Sequence, residues 1–343
     1  MNGDWLLTGR DGRLSVYLPS NDAALWRAER APAGRWEPPR RIGGDQELRP
    51  DGGLAAGRGP DGYTHLVAWR PTGAGRCALV HTTHFRPLLA PLDWQPAGHP
   101  NKQGDRTGTP AVAVDAQGRA HVFVRNGGGG LSMVAQQEKG GWEPWRDLKG
   151  RGVREAPAAV TADSGLVEVY APVEGGIVHW SQDKPGARPT LGERLDAVVR
   201  PGTLRALATS AEHTTVFFTD DTTGELCAWR PGGKAVPLVS AAGPGPVSAV
   251  RTVIDGHDCT LLAQRSAGSG RVAFAAYPSE LEEMGAAWTE SGPALPSDAT
   301  VSVTLDADGR LTAATLSPST GQLLLSRRKD DEAGLALGAW GAV

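Results

Sequence analysis

The chain has 343 residues, 40% of them apolar and 21% charged, with a net charge of −3. That composition describes a globular protein with an ample core and excludes a disordered or fibrous one. The near-neutral charge gives no electrostatic support for nucleic-acid binding, and no run of eighteen apolar residues is present to span a membrane. Gly 46 and Pro 26 are spread evenly, which excludes long helices and points to an all-β protein. Arg far outnumbers Lys, and Ala and Gly abound, a high-GC bacterial coding bias. The stretch MNGDWLLTGRDGRLSVY lacks a basic segment followed by a long apolar run, so no secretory signal is expected. Cys77, Cys227 and Cys259 are odd in number and widely spaced; they read as small core residues of a reducing cytoplasm.

Along the chain one unit recurs: a short apolar strand, a Gly turn, a second strand, another turn, a third strand, then a Trp-bearing segment. The clearest copy is PAVAVDAQGRAHVFVRNGGGGLSMVAQQEKGGWEPWRDLKG at 110–150. Its first turn recurs at Gly12, Gly62, Gly118, Gly165, His213, Asp258 and Gly309, with spacings of 50, 56, 47, 48, 45 and 51. Seven copies of about 49 residues, each with four short strands, are the pattern of a seven-bladed β-propeller. The expected blades are 1–50, 51–108, 109–156, 157–202, 203–247, 248–299 and 300–343, in one domain. Residues 4–8 are expected as an innermost strand and 335–342 as an outermost one.

Two copies carry a family resemblance. GRAHVFVRNGGGGLSM…GWEPWRDLKG in unit three and GRLSVYLPSNDAALWR…RWEPPRRIGG in unit one resemble the repeat of the PLL-type propeller lectins. Leu25-Trp26, Leu79-Val80-His81 and Ile177-Val178-His179 match the third-strand segment, and Trp36, Trp94 and Trp142 the fourth. The match is good in units one and three, partial in two and four, and only periodic in five to seven. What the resemblance implies is a seven-bladed ring with sugar sites between adjacent blades. The copies have diverged: Trp26 corresponds to Val80, Ser132, Val178 and Cys227. Seven equivalent sites are therefore not expected, leaving one or two, or a single pocket at the axis.

Motifs for catalysis are scarce. There is no GxSxG, no HExxH and no GxxxxGK[ST], and no metal site or cofactor is expected. Gly127–Gly130 lie between two strand patterns, so they read as a turn rather than a phosphate loop. Unit two is the longest. It holds His65, His81, His84 and His99, half of the eight histidines, with Asp93, Trp94, Asp105 and Arg106. The HTTH at 81–84 would put its two imidazoles on opposite faces of a strand, so joint metal ligation would need a turn there. The plain reading is a repeated strand position; the sharper one is a catalytic cluster. In that case a neutral His acts as general base near pH 7, with Arg106 or Arg125 supplying positive charge. Of the eleven Trp, Trp36, Trp142, Trp145, Trp288 and Trp340 read as outer-strand wedges between blades. Trp26, Trp94, Trp180 and Trp229 are the candidate ligand-binding residues, because a flat ring with a polar edge can stack on a sugar face.

Two function classes follow. One is a lectin-like binder of a small molecule, in particular a saccharide or glycosylated molecule, with one or few sites. The other is an enzyme of bacterial secondary metabolism, a cyclase, isomerase or hydrolase with one axial pocket. The family repeat favours the binder; the decayed copies and missing signal favour the enzyme. A protein-interaction scaffold has no positive sign. The balance falls narrowly on the binder, and oligomeric state is not legible.

Overall fold

The computed structural model of the chain describes residues 2–73, 75–102, 106–154 and 156–343. Local chemistry shapes it first at the hairpins. Gly12, Gly62, Gly118, Gly165 and Gly309 all adopt φ of 76–79°, in the left-handed region that favours glycine. Each closes the same three-residue loop. At Gly118, for example, its N–H donates to Asp115 O at 2.9 Å, and Asp115 N–H to Arg119 O at 3.0 Å. Blades five and six depart from the rule. In blade five Thr209 N–H donates to His213 O at 3.0 Å without a glycine. In blade six the turn sits at Asp255-Gly256, ahead of Asp258, with both φ values positive at 51° and 81° and Ile254 paired with His257. That is the two-residue hairpin loop, for which Asp-Gly is a favoured pair.

The chain divides into two compact units, residues 1–197 and 198–343. The first holds four antiparallel sheets, spanning 6–41, 54–98, 111–147 and 158–196; the second holds three, spanning 205–240, 248–291 and 300–342. Each sheet takes four consecutive strands, innermost to outermost in chain order. The fold is a seven-bladed β-propeller. Leu6–Thr8 is the innermost strand of blade one and Gly341–Ala342 the outermost of blade seven. Blade two gains a fifth strand, because Asn2–Gly3 pairs in parallel with Ala55–Ala56. The backbone of that segment also lies against the innermost strands of blades three and four, Ala111–Val114 and Ala158–Thr161.

Alternation along each strand builds the core between sheets. In blade two, Leu66, Ala68 and Val80 pack with Tyr17 and Trp26 of blade one. Val67, Trp69 and Leu79 turn the other way, onto Val112, Val122 and Val124 of blade three. Both faces are thus apolar, and each buried Val, Leu or Phe contributes about 1.5–3 kcal/mol. The outer strands are short, and tryptophan supplements them. Trp94 Nε1 donates to Ile42 O at 3.2 Å and Trp145 Nε1 to Ala97 O at 2.8 Å, each reaching the preceding blade. In the second unit Trp288 Nε1 does the same to Ser240 O at 2.7 Å, and Trp340 Nε1 to Ser291 Oγ at 3.2 Å.

Candidate functional site

The histidines of blade two do not form one cluster. His81 and His84 lie on the continuous strand Arg76–His84 and point to opposite faces. His81 faces blade three, where its Nε2 is 3.0 Å from His65 Nδ1 and its ring meets Trp142 edge-on at 5.1 Å. His84 faces blade one. Its Nε2–H donates to Leu89 O at 2.7 Å, which leaves Nδ1 to accept the Tyr17 hydroxyl at 2.7 Å. All three imidazoles are at most 5% exposed. Burial pushes His65 down to about 4 and His81 to about 3, the latter also disfavoured by its histidine neighbour. Burial lowers His84 as well. Tyr17, buried beside it, is pushed up to about 12, so its hydroxyl remains a donor.

The sequence expectation is a general base near pH 7; at these three positions the imidazoles are neutral there, weakly basic and enclosed between sheets, and His65 Nε2 is buried without a hydrogen-bond partner among the described residues. His99 stands apart in the loop after Gln95–Gly98, where its Nδ1 accepts the Asn101 N–H at 3.1 Å. Arg106 is exposed on the same loop and holds Asn101 Nδ2 through its carbonyl at 2.9 Å. Arg125 ends the second strand of blade three, half-buried. Asp105 lies outside the described residues. Among the described residues no group of three or more His, Cys, Asp or Glu could hold a metal ion.

The four candidate stacking rings, Trp26, Trp94, Trp180 and Trp229, are 0–2% exposed. Trp26 is flanked by His84 at 4.9 Å and capped by the Arg40 guanidinium at 5.8 Å. Trp94 Nε1 is taken by Ile42 O, Trp180 Nε1 by Leu148 O at 3.1 Å and Trp229 Nε1 by Gly233 O at 3.2 Å. A third-strand side chain sits between two sheets, so its ring face is covered by protein before a sugar could reach it.

An accessible concavity lies at the seam of blades three and four within the first unit. It is a groove of about 630 Å³, in the range of small-ligand sites. One wall comes from the Asn126–Gly130 turn and the 147–151 segment of blade three; the other comes from Val178, Leu191, Gly192 and Arg194 of blade four. The Gly127–Gly130 run folds as the expected turn. Asn126 Oδ1 accepts the N–H groups of Gly128 and Gly130 at 3.0 Å, and Gly129 takes φ of 76°. The blade-two loop buttresses it, since Asn101 Oδ1 accepts the Gly127 N–H at 3.0 Å.

Beneath the groove lies Trp180. A Cβ on Gly150, whose φ is +83°, would stand 2.9 Å from Trp180 Cζ2, so only glycine lets the backbone settle on the indole. Lys149 also adopts a left-handed φ of 68°. It is held there because Asp147 Oδ1 accepts its N–H at 2.8 Å and its carbonyl accepts the Leu131 N–H at 3.0 Å. The lining thus combines three cations, one carboxylate, one amide, backbone polar groups and Leu191, which is 55% exposed. It offers directional hydrogen bonds beside an apolar patch.

Sequence reasoning did not single out Asn126, Asp147, Lys149, Arg151, Leu191 or Arg194. The local signal was present in Lys149-Gly150-Arg151-Gly152, which alternates basic residues with glycines, two of which have positive φ.

No protein-family model matches the chain, and no curated protein matches it. Solved structures do. BP39L lectin from Burkholderia pseudomallei is similar over 100% of this chain and 99% of its own, with a TM-score of 0.72 and 15% identity. Hadza microbial sialidase Hz136 is similar over 87% of this chain and 72% of its own, with a TM-score of 0.55 and 13% identity. A mutant of Aleuria aurantia lectin, in complex with Fucα1-6GlcNAc, is similar over 87% of this chain and 97% of its own, with a TM-score of 0.50 and 14% identity. Two lectins and a sialidase are thus similar to this chain, and at such identities the likeness is one of fold: a β-propeller.

Proposed function

We propose that the protein is a lectin-like, saccharide-binding propeller of the PLL type, with its site in the groove between blades three and four. The observation that carries this reading is the groove itself. Its 630 Å³ suits a mono- or disaccharide, and its mixture of polar groups with Leu191 matches a sugar's hydroxyl edges and apolar face. The PLL-type repeat is best preserved in blade three, which supplies one wall, and two of the similar structures are lectins. The enzyme reading draws on no comparable feature. Three of its four histidines are buried between sheets, and Asn2–Gly3 lies beside the innermost strands of blades two to four.

A glycan array followed by calorimetric titration tests this. Retention of saccharides is expected, saturating at one or few sites per chain. Gly128→Trp should fill the groove without backbone strain, because only Asn126 Oδ1, 3.3 Å from an added Cβ, must give way. Binding should weaken by at least about tenfold, a loss of about 1.4 kcal/mol. No glycan retained, or an unchanged affinity in Gly128→Trp, would overturn the assignment.

A further inference from the structure

We infer that the saccharide bound in this groove carries an anionic group, a carboxylate or a sulfate; this rests on the saccharide-binding reading above. Lys149, Arg151 and Arg194 line the groove against the single carboxylate of Asp147. Asp147 is largely engaged: Oδ1 holds the Lys149 N–H, and Oδ2 lies 3.3 Å from Lys149 Nζ. Arg194 is fixed from outside the groove, with Nε 2.9 Å from Asp196 Oδ1 and Nη2 donating to Glu174 O at 3.0 Å. Its guanidinium is therefore held in place before a ligand arrives. Arg151 is exposed and has no carboxylate partner among the described residues. Arg188 donates to the Asp147 carbonyl and brings a further positive charge to the rim. Of the carboxylates just outside the lining, Glu174 lies 3.3 Å from Arg154, and Asp196 is the partner of Arg194 itself.

Two features make this more than a run of surface charge. The cations come from two different blades and converge on one concavity. Lys149 holds a left-handed backbone, which is unfavourable for a non-glycine residue, and the Asp147 contacts maintain it. A guanidinium presents paired donors that match the two oxygens of a carboxylate or sulfate.

The test compares an oligogalacturonate with its neutral methyl ester, and a sulfated dextran oligomer with unmodified dextran, on the full chain. The acidic member of a pair should bind about tenfold tighter or more, and that advantage should shrink between about 50 mM and about 300 mM salt. Arg151→Gln should weaken the acidic ligand about five- to tenfold more than it weakens the neutral one, while Arg151→Lys should keep most of the affinity. Equal affinity for acidic and neutral partners, sensitive to Gly128→Trp, would overturn this inference and leave the saccharide site standing. Inorganic sulfate binding as tightly as the acidic sugars would overturn it as well, making the groove an anion site. Failure of every saccharide, charged or neutral, would instead sink the saccharide-binding reading itself.

Discussion

Blade two holds half of the chain's histidines and buries three of them, whereas the seam of blades three and four has none in its lining and opens a groove of about 630 Å³. The contrast follows from where the side chains start. His65, His81 and His84 sit on strands, so each is driven against a neighbouring sheet and must find its partner there. Asn126, Lys149 and Arg151 sit where the chain leaves the sheet, at a hairpin tip and in the segment joining two blades. In this architecture a polar residue on a central strand becomes part of the core, and accessible chemistry belongs to the loops and to the outermost strand, as at Arg194. Density of titratable groups is thus a poor guide to the site.

The largest expected effect strikes the floor of the groove. Trp180→Ala removes a fully buried indole and its bond to Leu148 O, and should cost about 3–5 kcal/mol of unfolding free energy in a denaturant titration. A midpoint that hardly moves would mean the seam is held by something other than this ring.

The second effect belongs to blade two and has a definite sign. His65 and His81 have folded values depressed to about 4 and about 3, below the unfolded value of about 6.5. The unfolded chain therefore binds protons first, so this contribution is fully present above pH 6.5 and is lost as pH falls toward 4 and then 3. The loss for His65 is on the order of 3 kcal/mol at its limit, with the charge of Asp61 working against it. Stability curves for the protein and for His65→Leu/His81→Leu should diverge across this window, the variant showing the shallower slope. Parallel curves would place the acid sensitivity in the carboxylates instead.

A smaller effect separates backbone from side chain at the groove. Gly150→Ala forces a Cβ into the left-handed region and within 2.9 Å of Trp180, at an expected cost of about 1–3 kcal/mol, with weakened saccharide binding. Thermal shift and titration on the same sample check both. The smallest effect is a control on blade two: Arg106→Ala, exposed, should change stability by less than about 0.5 kcal/mol and leave binding intact. A loss of binding there would return the blade-two loop to the site.

The seven hairpins, their period and the opposite facing of His81 and His84 were legible in the sequence, because they rest on short-range constraints. A left-handed turn position favours glycine, and alternate residues on a strand face opposite ways. Blade six shows the limit: its Asp255-Gly256 turn sits three residues before the position that the period marks, since a two-residue loop is shorter than its counterparts. The burial of Trp26, Trp94, Trp180 and Trp229 was not legible, because a tryptophan at the same repeat position can line a site or fill a core. Only burial on both sides decides between them.

By itself, then, the sequence determined the β-propeller, its seven repeats and the places where the chain turns, all set by residues within a few positions of one another. The tertiary structure alone decided which polar groups meet water. His65 faces His81 across a hairpin, and Leu191 faces Lys149 across two blades; which pair lies open depends on how closely neighbouring sheets approach at that height. Sheet spacing is set by residues 30 to 48 positions apart, such as Trp180 over Gly150 and Trp145 over Ala97. No local pattern along the chain encodes it.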